Sequence, residues 1–169
     1  MSEAKTLVSS DPSSDDKGRL RLWLRLLACG QAIEKVIRSR LRDEHGTTLP
    51  RFDVMAALDR HPEGLTMGEI SRRLRVSNGN VTGVVDRLVR EELLRRWHPE
   101  GNRRTFLIAL TRKGRANFKR MAAQHQAWID DMLAGLDDAE IKRLAALMER
   151  VQSSVSQAAE REGNSHADD

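Results

Sequence analysis

At 169 residues, with 39% apolar and 32% charged side chains, the chain has the length of one domain with helical extensions and too much apolar periodicity for a disordered polymer. No apolar secretory segment follows Met1 and no apolar run reaches membrane-spanning length, so a soluble, cytoplasmic protein without a membrane partner is expected. The single cysteine, Cys29, excludes an intrachain disulfide framework, and the net charge of +4 is unevenly spread: residues 72–104 hold nine arginines, no lysine and four acids, a local +5 that suits a polyanionic partner.

In chain order, residues 1–14 are rich in Ser, Asp and Pro and read as a loose tail. Residues 20–46 form a long helical pattern. Leu22, Leu26, Cys29, Ile33 and Val36 recur at steps of four, three, four and three, a narrow apolar seam that Leu20, Leu24 and Leu27 widen. Gly46 stops this helix, and Pro50 opens the next, whose apolar side carries Phe52, Met55, Ala56 and Leu58. Thr66-x-x-Glu69 is a capping box before a short helix with Ile70 and Leu74. After a turn at Arg75-Val76, Ser77 caps a further helix that packs through Val81, Val84, Val85 and Leu88.

From residue 93 the period changes. Leu94/Arg96/His98 and Phe106/Ile108/Leu110 alternate as strands do, around a Pro-Glu-Gly-Asn turn. Thr111 then caps a long helix to about Leu133, and Gly135 ends it. Asp137-x-x-Glu140 is a second capping box, and the last helix shows Ile141, Leu144, Met148, Val151 and Val155 at steps of three, four, three and four. The seams of the first and last helices meet either a second copy or each other; a homodimer is the simpler source. Residues 159–169 read as a second tail.

Two short helices joined by a tight bend, residues 65–90, carry the functional signal. The second begins Ser77, Asn78, Gly79, Asn80 and Thr82, short and mostly hydrogen-bonding residues where bulk would block approach to base edges. Arg72, Arg73, Arg75 and Arg87 flank them as phosphate contacts, which Arg90, Arg95 and Arg96 extend. Arg103 and Arg104 sit at the tip of the following hairpin, where arginine reads minor-groove shape. The expected partner is double-stranded DNA.

Asp86-Arg87-Leu88, Leu93, Arg104 and Leu110-Thr111-x-x-Gly114 resemble the wing signature of the MarR-type transcriptional regulators, and the resemblance spans about residues 20–155. It implies a mainly α fold, a winged helix-turn-helix with N- and C-terminal dimerisation helices. Residues 15–48 would be the N-terminal dimerisation helix, 49–111 the DNA-binding lobe and 112–158 the C-terminal dimerisation helices. It also implies a homodimer on a palindromic operator, a repressor released by a small ligand. Two positions depart from the pattern: Glu92 stands for a glycine at the helix C-cap, and Asn102 for an aspartate that in the family often holds the wing arginine.

The resemblance implies an effector crevice lined by the first, second and fifth helices. Trp23, Leu27, Phe52 and Met55 are its apolar candidates, and Arg38, Arg40 and Arg42 its cations. The chain looks most similar to the branch controlling hydroxycinnamate and related aromatic-acid degradation, whose effectors are aromatic acyl-CoA thioesters such as p-coumaroyl-CoA or feruloyl-CoA. An apolar slot for the ring and arginines for the phosphates fit that chemistry. A free phenolic acid is the alternative, as is oxidation of Cys29, although its place in the seam makes a buried structural thiol the expectation. The five histidines show no ligand spacing, and no phosphate loop, nucleophile elbow or zinc-protease motif is present. Neither a metal, a cofactor nor an enzyme activity is expected. An acidic protein bound to the basic face is the remaining rival.

Overall fold

The structure, a computed structural model, describes residues 14–102 and 104–165, with the side chains of residues 14–16, 78 and 162–165 left aside. The chain divides into two compact units, residues 1–125 and 126–169. Of the tail read at residues 1–14, all but Ser14 lies outside the described residues; the tail read at 159–169 is corrected, since the last helix continues to Ser165 and only residues 166–169 lie outside.

The first unit begins with α1 (Ser14–His45). Only its C-terminal part joins a core, through Ile37 and Leu41. Gly46 turns left-handed at φ 59° and closes the helix, with Gly46 N–H donating to Arg42 O and Thr47 N–H to Leu41 O. Pro50 sits in the first turn of α2 (Leu49–Asp59), where no amide partner is needed. The capping box opens α3 (Met67–Leu74): Thr66 N–H donates to Glu69 Oε2 at 2.8 Å and Glu69 N–H to Thr66 Oγ1 at 3.3 Å. The Thr66 amide, and then its hydroxyl, both donating to Glu69 Oε2, hold the Glu69 carboxyl below its usual range. Ser77 stands at the N-cap of α4 (Asn78–Arg90) without a side-chain capping bond.

Helices α2, α3 and α4 pack against one another around Val54, Met55, Leu58, Ile70, Val81, Val85 and Leu88, none more than 2% exposed. Burying such side chains stabilises by about 1.5–3 kcal/mol each. Strand β1 (Leu94–Trp97) runs antiparallel to β2 (Leu107–Leu110), in the register Leu94↔Leu110 to Trp97↔Leu107. Leu65 adds one bridge to Ile108, with two 2.9 Å backbone bonds. The alternation predicted for the second strand is not kept. Ile108, Ala109 and Leu110 are all buried while Phe106 is 43% exposed, so both faces of the strand are covered near its base.

Thr111 caps α5 (Arg112–Leu133) as its position predicts: its Oγ1 accepts from Gly114 N–H at 2.9 Å and donates to Glu92 O at 2.7 Å. Gly114 is required by proximity, because a Cβ there would lie 1.9 Å from Leu93 O. Phe52 packs on Phe118, with centroids 5.4 Å apart, and stacks on His125 at 4.8 Å; burial pushes the His125 pKa down.

The second unit holds the end of α5 and α6 (Asp138–Ser165). Its capping box is formed as the sequence predicts, with Asp137 N–H on Glu140 Oε2 at 3.0 Å and Glu140 N–H on Asp137 Oδ1 at 2.8 Å. Ile141, Leu144, Leu147, Val151 and Val155 remain exposed along α6. Among the described residues, no helix is long and apolar enough to cross a membrane.

Candidate nucleic-acid interface

The bend between α3 and α4 is closed by hydrogen bonding and not by a glycine. Arg75 takes φ 54°, its N–H donates to Arg72 O, and Val76 N–H donates to Ser71 O. This frees α4 to begin on a small, exposed first turn. Ser77, Gly79, Asn80 and Thr82 are exposed, and Asn78 opens the helix, while Val81, Val85 and Leu88 anchor its other face. Arg72, Arg73 and Arg75 precede this turn and Arg87 lies in the last turn of α4; all four are exposed and form no ion pair among the described residues.

The far end of α4 also closes left-handed, at Glu92 with φ 60°. Leu93 N–H donates to Leu88 O and Glu92 N–H to Val89 O, both at 2.9 Å, the pattern that glycine usually serves. The closure is braced from two sides. Arg51 of α2 grips Glu91 with both Nη atoms, Nη1 to Oε1 at 2.7 Å, and Lys113 Nζ donates to Glu91 O at 2.9 Å. The Arg51 contact holds the Glu91 carboxyl below its usual range. Nothing in the sequence spacing marks this contact, since its partners stand far apart in the chain.

In the wing, Asn102 serves the backbone. Its Oδ1 accepts from Arg104 N–H at 3.0 Å, its Nδ2 donates to Thr105 Oγ1 at 3.1 Å, and its N–H donates to Pro99 O at 3.2 Å. The missing carboxylate is thus replaced by an amide that orders the tip and leaves the exposed Arg104 side chain free of an ion pair among the described residues. Arg103 lies outside the described residues. Two arginines assigned to phosphate have partners within the lobe: Arg96 Nη2 meets Asp86 Oδ1 at 2.6 Å and lies over Phe106, and Arg95 lies 4.3 Å from the Trp97 centroid.

The seven effector candidates do not converge on one cleft, although Arg38 and Arg42 share a groove on α1. Phe52 and Met55 are in the core, Trp23 and Leu27 are 57% and 45% exposed on α1, Arg40 is half-buried and Arg42 is exposed. Arg38 alone of the seven lines a cleft of about 440 Å³ floored by Leu49, Pro50, Val54 and Val84, with Asn80 of α4 in its wall. Two carboxylates that the sequence reading missed, Glu34 and Asp53, share it. Arg38 Nε donates to Glu34 Oε1 at 3.0 Å. Burial pushes Asp53 up to about 6, against the pull of Arg38 and with the help of Glu34. The available signal was a charge embedded in the apolar run Phe52–Met55.

Cys29 is exposed, against the expectation of a buried thiol, because Leu22, Trp23, Leu24 and Leu27 beside it are also exposed in the single chain. Among the described residues, no three His, Cys, Asp or Glu side chains gather as a metal site.

The sequence model of the MarR family matches residues 45–105, the end of α1 through the wing. The transcriptional activatory protein BadR of Rhodopseudomonas palustris is 33% identical over 116 residues, which cover 66% of this chain and 66% of BadR. The HTH-type transcriptional regulator PecS of Dickeya dadantii is 30% identical over 128 residues, 75% of this chain and 74% of PecS. The crystal structure of a MarR family transcriptional regulator from Silicibacter pomeroyi matches with a TM-score of 0.72 at 30% identity, covering 85% of this chain and 99% of that one. A helix-turn-helix with a small polar recognition turn, a two-stranded wing and these relatives agree: the chain belongs to the MarR family of transcriptional regulators.

Proposed function

We propose that two copies of this chain bind a palindromic operator as a cytoplasmic repressor of aromatic-compound (hydroxycinnamate) catabolic genes, released by an aromatic acyl-CoA such as p-coumaroyl-CoA or feruloyl-CoA. The observation that carries the DNA reading is the exposure of Ser77, Gly79, Asn80 and Thr82 at the start of α4, just after the exposed Arg72, Arg73 and Arg75, which form no ion pair among the described residues. In this reading the first turn of α4, with Ser77, Asn78, Gly79, Asn80 and Thr82, enters the major groove. Arg72, Arg73, Arg75 and Arg87 hold phosphates, and Arg103 and Arg104 reach the minor groove. The exposed apolar faces of α1 and α6 supply the dimer contact that sets two recognition helices about 34 Å apart.

The effector reading rests on the apolar cleft with Arg38 on its wall. Its volume falls within the range of small-molecule sites and suits an aromatic ring. The CoA phosphates would extend over Arg38 and Arg42, which flank a shallower groove on α1 with Lys35. Val76, Val81 and Val84 also line the cleft, so a ligand there touches the recognition helix and favours one of its placements by differential affinity. Trp23, Leu27, Arg40, Phe52 and Met55 would act from the surrounding helices. Release by oxidation of Cys29 and release by a free phenolic acid are the alternatives.

The test is fluorescence anisotropy of DNA upstream of the protein's own gene, at fixed salt, with p-coumaroyl-CoA, feruloyl-CoA, the free acids and peroxide added in turn. Sequence-preferring binding lost only with a thioester supports the whole reading. Loss with the free acid or with peroxide moves the effector to that alternative, and absence of sequence preference overturns operator binding. A promoter reporter that falls when the gene is deleted would replace repression by activation, the sense that the name of BadR carries.

A further inference from the structure

We propose that a second cleft, at the base of the hairpin, binds a phosphate-bearing small molecule. It has a volume of about 590 Å³ and lies between β1 and the first two turns of α5. Its charged lining is wholly cationic: Arg95, Arg112, Arg115 and Lys119, with Leu110, Thr111 and Ala116 between them. Two of the four have partners, Arg115 with Asp59 at 3.4 Å and Arg95 with the Trp97 ring. Arg112 and Lys119 are exposed and form no ion pair among the described residues.

The charge placement is only partly offset within the chain, where Lys113 meets Glu91 O and Glu92 and Arg115 meets Asp59. The first turn of α5 carries no acid and reads Arg112-Lys113-Gly114-Arg115, cations set against the positive end of the helix dipole. An anion held among them removes that cost, and a phosphate group matches guanidinium forks and ammonium donors together.

Operator DNA is not this anion. Strand β1 follows the C-terminal end of α4, and Arg95 pairs in register with Ala109 near the base of the hairpin. Helix α4 is 13 residues long, so that end stands about 18 Å along the axis from its first residue. The wing tip lies at the opposite end of the ribbon from the cleft. The site is also distinct from the 440 Å³ cleft, whose walls are mainly apolar, and it does not depend on which effector enters there.

Isothermal titration of the full-length protein with inorganic pyrophosphate, at constant ionic strength, tests the proposal. We expect saturable binding, weakened about tenfold or more in Arg112→Ala/Lys119→Ala, with operator affinity changed by less than about twofold. Competition with ATP and with CoA identifies the source: displacement by ATP alone assigns a nucleotide phosphate, and displacement by CoA alone the phosphates of a thioester carrier. Heats that do not saturate, or that persist unchanged in the variant, overturn the site. A variant that keeps its thermal midpoint yet loses operator affinity as Arg104→Ala does would place these cations in the DNA interface and overturn it equally. Should that variant unfold early, Arg112→Gln/Lys119→Gln, which keeps side-chain length, repeats the test.

Discussion

Glu92 occupies a backbone position that costs a side chain energy. At φ 60° its Cβ crowds the following carbonyl, a cost that glycine does not carry. Its carboxylate gains little in return, since the contact to Lys113 Nζ is 3.5 Å long and exposed on both sides. Glu92→Gly is therefore expected to stabilise the protein by about 0.5–1 kcal/mol, after the larger chain entropy of glycine in the unfolded state is offset. Chemical denaturation reads this directly, and a lower midpoint would mean that the closure depends on the side chain. Arg104 is the contrasting residue, with its backbone tied to Asn102 and its exposed side chain unpaired by any described acid. Arg104→Ala is expected to leave stability unchanged and to weaken operator binding by about 1 kcal/mol or more. Equal anisotropy curves for both proteins would remove it from the interface.

Helix α4 is held at the end away from its exposed turn. Arg51 and Lys113 bring α2 and α5 onto Glu91, so the angle at which the first turn is presented depends on a contact at the opposite end. Glu91→Gln keeps the shape and loses the charge. It is expected to cost about 1–2 kcal/mol of stability and to lower operator affinity more than affinity for random DNA. Restoration of the specificity ratio by a charge-swapped Arg51→Glu/Glu91→Arg pair would confirm a positioning role; equal loss on both DNAs would not fit it. On α2 the half-buried Asp53 gives a pH signature. Its folded pKa, about 6, lies above its unfolded value near 3.8, so the native state holds the extra proton and stability falls as pH rises from about 4 to 6. Solvent in the cleft limits the effect to about 1 kcal/mol. Asp53→Asn should flatten this slope in denaturation curves measured across the window; an unchanged slope would assign it to another group. Helix periods, both capping boxes and the Thr111 cap are legible in the sequence, because each depends on residues within a few positions. The strand burial is not, because cover on a second face comes from outside the hairpin.

For the whole molecule, the apolar residues left outside are as informative as those inside. Leu20 to Leu27 on α1 and Ile141 to Val155 on α6 keep large exposed apolar side chains, beyond what scattered surface residues explain. Leu24→Glu/Leu144→Glu is expected to give monomers in sedimentation velocity and to weaken operator binding at least about a hundredfold, since one half-site holds without the other. A variant that stays dimeric would put the dimer contact elsewhere. The same exposure explains Cys29: the seam was read correctly as apolar, and whether it is covered depends on a second surface that the local pattern does not contain.

Taken by itself, the order of residues determined the helices, the hairpin, the reading helix and the family, since periodicity, caps and the Asp-Arg-Leu to Leu-Thr-x-x-Gly signature are local in the chain. Tertiary structure alone decided which charges are available. Arg96 is engaged by Asp86, ten residues away, and Arg51 by Glu91, forty residues away, whereas Arg72, Arg73, Arg75 and Arg104 form no ion pair among the described residues. It also decided that Asp53 meets Arg38 and Glu34 in one cleft and that Phe52 and Met55 belong to the core. Electrostatic pairing and desolvation depend on distance in space, and separation along the chain does not report it.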